Sequence, residues 1–79
     1  MYFVYILKSL VTGKFYFGLT TDIKKRLAYH NKGTVFSTKK DRPWKIVWYG
    51  AFDSMQKAEA FEKYLKSGSG YAFSRKRLI

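Results

Sequence analysis

The chain contains no cysteine, one proline, one histidine and only five acidic residues among its 79. Without cysteine there is neither a disulfide framework nor a thiolate zinc site, and no disulfide-linked partner. The lone proline, Pro43, gives regular structure few places where it must break. No apolar run is long enough to span a bilayer, and no helix pattern joins a clean basic face to a broad apolar one, so a membrane partner is not expected. Met1 to Leu10 lacks the basic start and small-residue cleavage site of a signal peptide, which makes a cytoplasmic location the expectation.

What is present is basic and aromatic. Sixteen Lys plus Arg against the five acids give a net charge of +11, and such a surface attracts polyanions. Nucleic acid is the expected partner. The alternative is a small basic protein that is ribosome-associated or merely soluble. Hydrophobic residues make up 47% of the chain and aromatics 20%, enough for an ordered core. A domain of this length buries roughly 60–65% of its unfolded surface, so packing alone must stabilise one domain over residues 1–79.

The pattern predicts β-β-α-β-α-α, an α+β domain with a three-stranded, largely antiparallel sheet covered by helices. Met1–Lys8 and Lys14–Gly18 read as a hairpin joined by a glycine-containing loop. A helix capped by Thr21 or Thr20 follows, with Asp22 in its first turn, Ile23 and Leu27 on its apolar side and a stop at Gly33. Residues 34–43 have no period and read as a surface loop with room for one helical turn. Trp44–Phe52 is the third strand. Asp53 and Gln56 suggest a capping box for a helix over Ser54–Lys66, ended by Ser67-Gly68-Ser69-Gly70, and a short basic helix over Tyr71–Leu78 closes the order.

Three groups of residues could carry chemistry. On the second helix, Met55, Ala58, Phe61 and Leu65 fill an arc of about 120°, and Glu62 falls inside it. A carboxylate in a core-facing stripe is costly unless paired or holding a metal; the alternative is a rim position paired with a lysine. On the first helix, Arg26 and His30 are spaced i, i+4 and share a face. Arginine offers a forked donor for phosphate oxygens and histidine a proton carrier beside it, although a lone histidine is as readily a solvated or hydrogen-bonded one. Tyr5 and Tyr16 lie on neighbouring strands and could face each other; with seven tyrosines in the chain, edge packing is the alternative.

Taken together these positions resemble the GIY-YIG nuclease family over essentially the whole chain. The first motif stands as Phe3-Val4-Tyr5 and the second as Tyr16-Phe17-Gly18. Thr20-Thr21-Asp22, Arg26, His30, Ser37-Thr38-Lys39, Arg42-Pro43-Trp44 and Glu62-Lys63-Tyr64-Leu65-Lys66 follow in order, as in small stand-alone bacterial members. Phe3 replaces the leading glycine of the first motif, and no asparagine lies beyond Glu62, the only one being Asn31.

The resemblance implies roles. Tyr5 and Tyr16 would lie across the reacting phosphate, with Tyr5 the better candidate to deprotonate or orient the attacking water. Arg26 would stabilise charge on the phosphorane oxygens and His30 would assist proton transfer. Glu62 would anchor a single Mg²⁺ or Mn²⁺, and Gly18 would let the backbone approach the site. Because an ordinary tyrosine is a poor base at neutral pH, nearby positive charge must loosen its proton, with Arg26, Lys14 and the metal as candidates. The five side chains Tyr5, Tyr16, Arg26, His30 and Glu62 should then converge on one concave patch. Lys24, Lys25, Lys39, Lys40 and Arg42, with Lys14, should track phosphates around it.

The expected function is therefore a metal-dependent endonuclease-like domain hydrolysing phosphodiester bonds in DNA rather than RNA, with structured or damaged DNA as in repair. A non-catalytic nucleic-acid-binding module is the alternative, and an interaction subunit of a larger complex is a third.

Overall fold

The computed structural model describes residues 1–79 as β1 (Tyr2–Ser9), β2 (Phe15–Thr20), α1 (Ile23–Lys32), β3 (Trp44–Phe52), α2 (Met55–Lys66) and α3 (Gly68–Arg77), with one 3-10 turn at Lys39–Asp41. The three strands form an antiparallel sheet in the order β2-β1-β3. This is the expected α+β architecture.

β1 takes the centre because its residues Val4, Tyr5, Ile6 and Leu7 form an unbroken run that is buried on both faces. Alternation then sorts the run. Val4 and Ile6 pack with Ala58 and Leu65 of α2, while Tyr5 and Leu7 pack with Trp44, Ile23, Leu27 and Tyr16 on the side covered by α1. Each large apolar side chain so buried contributes roughly 1.5–3 kcal/mol. α1 and α2 thus lie on opposite faces, with α3 packed against α2.

The ends of the elements differ from the expectation in instructive ways. Asp22 itself caps α1: its backbone is extended, and its carboxylate accepts from the Lys25 N–H at 3.0 Å. Thr20 sits further back, its hydroxyl accepting from the Asp22 N–H at 3.1 Å. Ser54, not Asp53, caps α2, accepting from the Lys57 N–H at 3.3 Å, while Asp53 pairs with the Lys57 side chain at 3.6 Å.

Ser67 closes α2 and opens α3 at once. Its N–H donates to the Tyr64 carbonyl at 3.0 Å and its hydroxyl accepts from the Gly70 N–H at 3.2 Å. α3 therefore begins at Gly68 rather than at Tyr71. A Cβ on Gly70 would collide with the Tyr64 carbonyl, so glycine here lets the two helices meet closely, and that packing offsets a helix propensity about 1 kcal/mol poorer than alanine's.

Candidate active site

Tyr5 pairs across the sheet with Gly18. Its ring lies over that glycine, where any Cβ would collide with the phenol's Cζ and Oη. Gly18 therefore makes room for Tyr5, and a side chain there would crowd the site. Tyr16 pairs with Leu7, which puts it diagonal to Tyr5 rather than opposite, with ring centroids 6.3 Å apart on the same face.

From its place over Gly18 the Tyr5 hydroxyl reaches His30 Nε2 at 3.1 Å. His30 is fully buried, and its other ring nitrogen, Nδ1, lies 2.8 Å from the Thr38 hydroxyl. That hydroxyl in turn lies 3.3 Å from the Val35 carbonyl, and the Thr38 carbonyl accepts from Trp44 Nε1 at 2.8 Å. The Tyr16 ring closes the other side of the imidazole, 4.8 Å away between centroids.

Arg26 stands one helical turn before His30, near Tyr5 and Tyr16; both phenols raise its pKa above the ordinary arginine value, Tyr5 most. Its Nε is buried and has no hydrogen-bond partner. Burial pushes the Tyr5 phenol above its usual pKa, more than Arg26 pulls it down. Burial, with the Arg26 charge second, pushes His30 down to about 4. At neutral pH the site holds a protonated phenol, a cationic guanidinium and a neutral imidazole.

Glu62 comes from the α2 side. Its carboxylate, 18% exposed, pairs with Lys66 one turn later at 2.9 Å, yet its charge reaches Tyr5 and raises that phenol's pKa. Four of the five expected residues thus share the α1 face, whereas Glu62 is carried by α2 on the other side of the sheet and its one side-chain partner is Lys66, so no contact joins all five in a single patch. No cavity opens over them. Of the two surface cavities, one is lined by Lys8, Phe15 and Arg75, and the other lies at the start of α1 on the Tyr5 face, lined by Asp22, Ile23, Lys24, Phe3, Ile46 and Tyr49.

No group of three His, Cys, Asp or Glu side chains is placed to enclose a metal. Glu62 alone still fits one kind of ion. Mg²⁺ keeps several waters and is commonly held by one or two carboxylates together with substrate phosphates. A largely buried carboxylate such as Glu62 is a donor of that kind, once Lys66 gives way.

The expected phosphate-tracking residues fall into separate groups. Lys24 and Lys25 are exposed on α1, with Lys25 Nζ over the Tyr29 ring at 5.9 Å. Lys39 and Lys40 are exposed in the 3-10 turn, and exposed Arg42 lies against the Gly33 backbone. Lys14 stands at the hairpin turn, where its carbonyl accepts from the Ser9 N–H at 2.8 Å; the cation acting on Tyr5 is Arg26. Asn31 is structural, its side chain gripping the Trp44 backbone N–H at 2.6 Å and carbonyl at 3.1 Å. Sequence reasoning gave Thr38 and Trp44 no role. The sole signal for them was their place in the motifs Ser37-Thr38-Lys39 and Arg42-Pro43-Trp44.

Comparison with known proteins places this geometry among relatives. The GIY-YIG catalytic domain family matches residues 1–74. A UPF0213 protein of Streptococcus pyogenes serotype M3 is 38% identical over 65 residues, 81% of this chain and 70% of that protein. A UPF0213 protein of Streptococcus pneumoniae serotype 4 is 35% identical over 65 residues, 81% of this chain and 65% of that protein. The solution NMR structure of a UPF0213 protein from Bacillus halodurans superimposes with a TM-score of 0.58 at 29% identity, covering 99% of this chain and 87% of that one.

Proposed function

Because the chain belongs to the GIY-YIG family, we propose that it is a divalent-metal-dependent endonuclease hydrolysing phosphodiester bonds in DNA, with structured or damaged DNA as its substrate. The observation that carries this reading is the Tyr5–His30 hydrogen bond beside an arginine whose Nε–H has no partner. An unpaired buried N–H is unfavourable by about 1–3 kcal/mol, which a phosphate oxygen engaging the guanidinium would relieve once Arg26 adjusts.

The chemistry follows from the charges. In the free protein the proton stays on Tyr5, because burial raises the phenol and depresses the imidazole. A docked phosphate offsets the Arg26 charge, which is one of the two causes holding His30 down, and so increases the proton affinity of Nε2. Tyr5 then orients the attacking water and passes its proton toward His30 as it takes one from the water; as the water oxygen bonds to phosphorus the opposite P–O bond breaks, and the departing oxygen takes its proton from solvent. Arg26 stabilises the charge that develops on the phosphorane oxygens. Glu62 would hold a Mg²⁺ or Mn²⁺ ion, which when bound supplies Lewis-acid stabilisation of the phosphate.

The test is an assay of nicked, flapped, branched, linear and supercoiled DNA with and without Mg²⁺ or Mn²⁺. Metal-dependent cleavage that is lost in Glu62→Ala is expected. A second reading, a nucleic-acid-binding module without turnover, is favoured by the Lys66 side chain seated on the Glu62 carboxylate. Salt-sensitive binding with no cleavage of any substrate in either metal would establish it.

A further inference from the structure

Thr38 is buried to 1% exposure, lies in an aperiodic loop, and spends its hydroxyl on the only histidine of the chain. Its backbone is fixed from two sides. The Thr38 N–H donates to the Val35 carbonyl at 3.1 Å, and the Thr38 carbonyl accepts from the Trp44 indole. Trp44 is itself anchored to α1 through the two Asn31 hydrogen bonds. The hydroxyl is thereby held at His30 Nδ1 by the same α1–β3 bracing that closes the site.

The direction of the hydrogen bonds follows from what each group is able to donate. The Thr38 hydroxyl donates its one proton to the Val35 carbonyl, so toward the imidazole its oxygen accepts, and His30 Nδ1 is the donor. The Tyr5 proton then has one acceptor in the structure, His30 Nε2. With Nε2 accepting, the neutral imidazole carries its proton on Nδ1, which donates to the Thr38 oxygen, and Thr38 donates onward to the Val35 carbonyl. The reverse arrangement would turn an N–H toward the Tyr5 oxygen and leave the phenol's own proton without an acceptor.

We infer that Thr38 is a positioning residue: its hydroxyl fixes His30 in the Nδ1–H tautomer and thereby keeps the Nε2 lone pair on the Tyr5 hydroxyl. An imidazole in the opposite tautomer would present N–H to Tyr5 and accept nothing from it. The tautomer assignment stands on the hydrogen bonds alone, whereas its consequence for cleavage rests on the nuclease reading above. Thr38 touches neither the phosphate nor the water; it acts only through His30.

With a single imidazole in the chain, nitrogen-15 ring spectra report His30 without assignment, so the tautomer is read directly at pH 7. The wild type should show the Nδ1–H pattern. Thr38→Val, which keeps the shape and removes the hydroxyl, should show a mixed or Nε2–H pattern, and Thr38→Ser should restore Nδ1–H. In the cleavage assay Thr38→Val should lose about 100-fold or more in kcat with little change in KM, and Thr38→Ser should recover most of it. A wild-type Nε2–H pattern overturns the inference even if Thr38→Val does not fold, and so does retention of Nδ1–H in a folded Thr38→Val. Wild-type Nδ1–H that is lost in Thr38→Val, with no cleavage by any variant, upholds the tautomer role and removes the nuclease reading instead. Cleavage at wild-type kcat by a tautomer-shifted Thr38→Val overturns the positioning role while leaving the nuclease reading intact.

Discussion

The ring of Tyr5 occupies the space that a side chain on Gly18 would fill, so that a Cβ there would meet Cζ, Oη and, at 2.8 Å, Cε1. The ring has little freedom to yield, being 2% exposed and tied to His30 at its far end. Gly18→Ala should therefore cost about 1–3 kcal/mol of stability as an overpacking change and should abolish cleavage by displacing the phenol. Gly68→Ala is the matched control, since nothing lies within 4 Å of a Cβ at that position. It should leave cleavage unchanged and hold or raise the thermal midpoint, by up to about 1 kcal/mol of helix propensity. Unfolding curves and cleavage rates for the two variants decide it; equal behaviour of both would mean that Tyr5 is free to move.

The pH dependence of stability should carry the signature of His30. Its folded pKa of about 4 lies below the ordinary 6.5, so burial favours the neutral ring. Above pH 6.5 neither state holds the proton and the contribution is fully present. Between 6.5 and 4 the unfolded chain takes up a proton that the folded chain refuses, so stability falls as pH falls. Below about 4 both states are protonated and the loss is complete, at most about 3.4 kcal/mol for a fall from 6.5 to about 4 at 1.36 kcal/mol per pH unit. Denaturant unfolding between pH 7 and 4 measures this, and His30→Asn should flatten the slope over that window. A His30 ring that titrates near 6.5 by NMR would refute the account.

Much of this was legible in the residues, and the remainder was hidden for physical reasons. The β-branched and aromatic opening announces a strand of a hairpin, and the i, i+4 spacing of Arg26 and His30 announces a shared face, because both depend only on local pattern; that β1 is the central strand depends on the long-range pairing with β3. The start of α3 was obscured because Ser67-Gly68-Ser69-Gly70 reads locally as a terminator, and only the contact of Gly70 with the Tyr64 carbonyl explains glycine inside a helix. Thr38 was obscured because its meeting with His30 depends on the path of an aperiodic loop. Glu62 was legible as an anomaly, and Lys66, its partner, stood four residues further on in the same sequence.

Binding should depend on the loop between α1 and β3. Lys39 and Lys40 are exposed in the 3-10 turn, directly after the residue that holds His30. Replacing both with alanine should weaken binding to all DNA sequences alike and flatten the log-log salt dependence by roughly one to two units, one for each lost phosphate contact. Titrations of a fluorescent duplex across a range of salt concentrations give the slope. An unchanged slope would place the DNA on another face of the protein.

Glu62 sets metal binding against folding. Its partner Lys66 is itself about half exposed, and the two are spaced i, i+4 on α2, so their pairing stabilises the helix by only about 0.3–0.5 kcal/mol. Glu62→Gln, which keeps the size and removes the charge, should therefore shift stability in EDTA by less than about 1 kcal/mol while abolishing metal-dependent cleavage. Lys66→Met gives the complementary outcome. A cation at Glu62 must displace the Lys66 ammonium, so removing that ammonium should tighten Mn²⁺ binding, measured calorimetrically, and lower the metal concentration needed for half-maximal cleavage. Were the carboxylate instead a structural brace, Glu62→Gln would lose several kcal/mol in EDTA with cleavage retained, and Lys66→Met would destabilise the fold without changing the metal requirement.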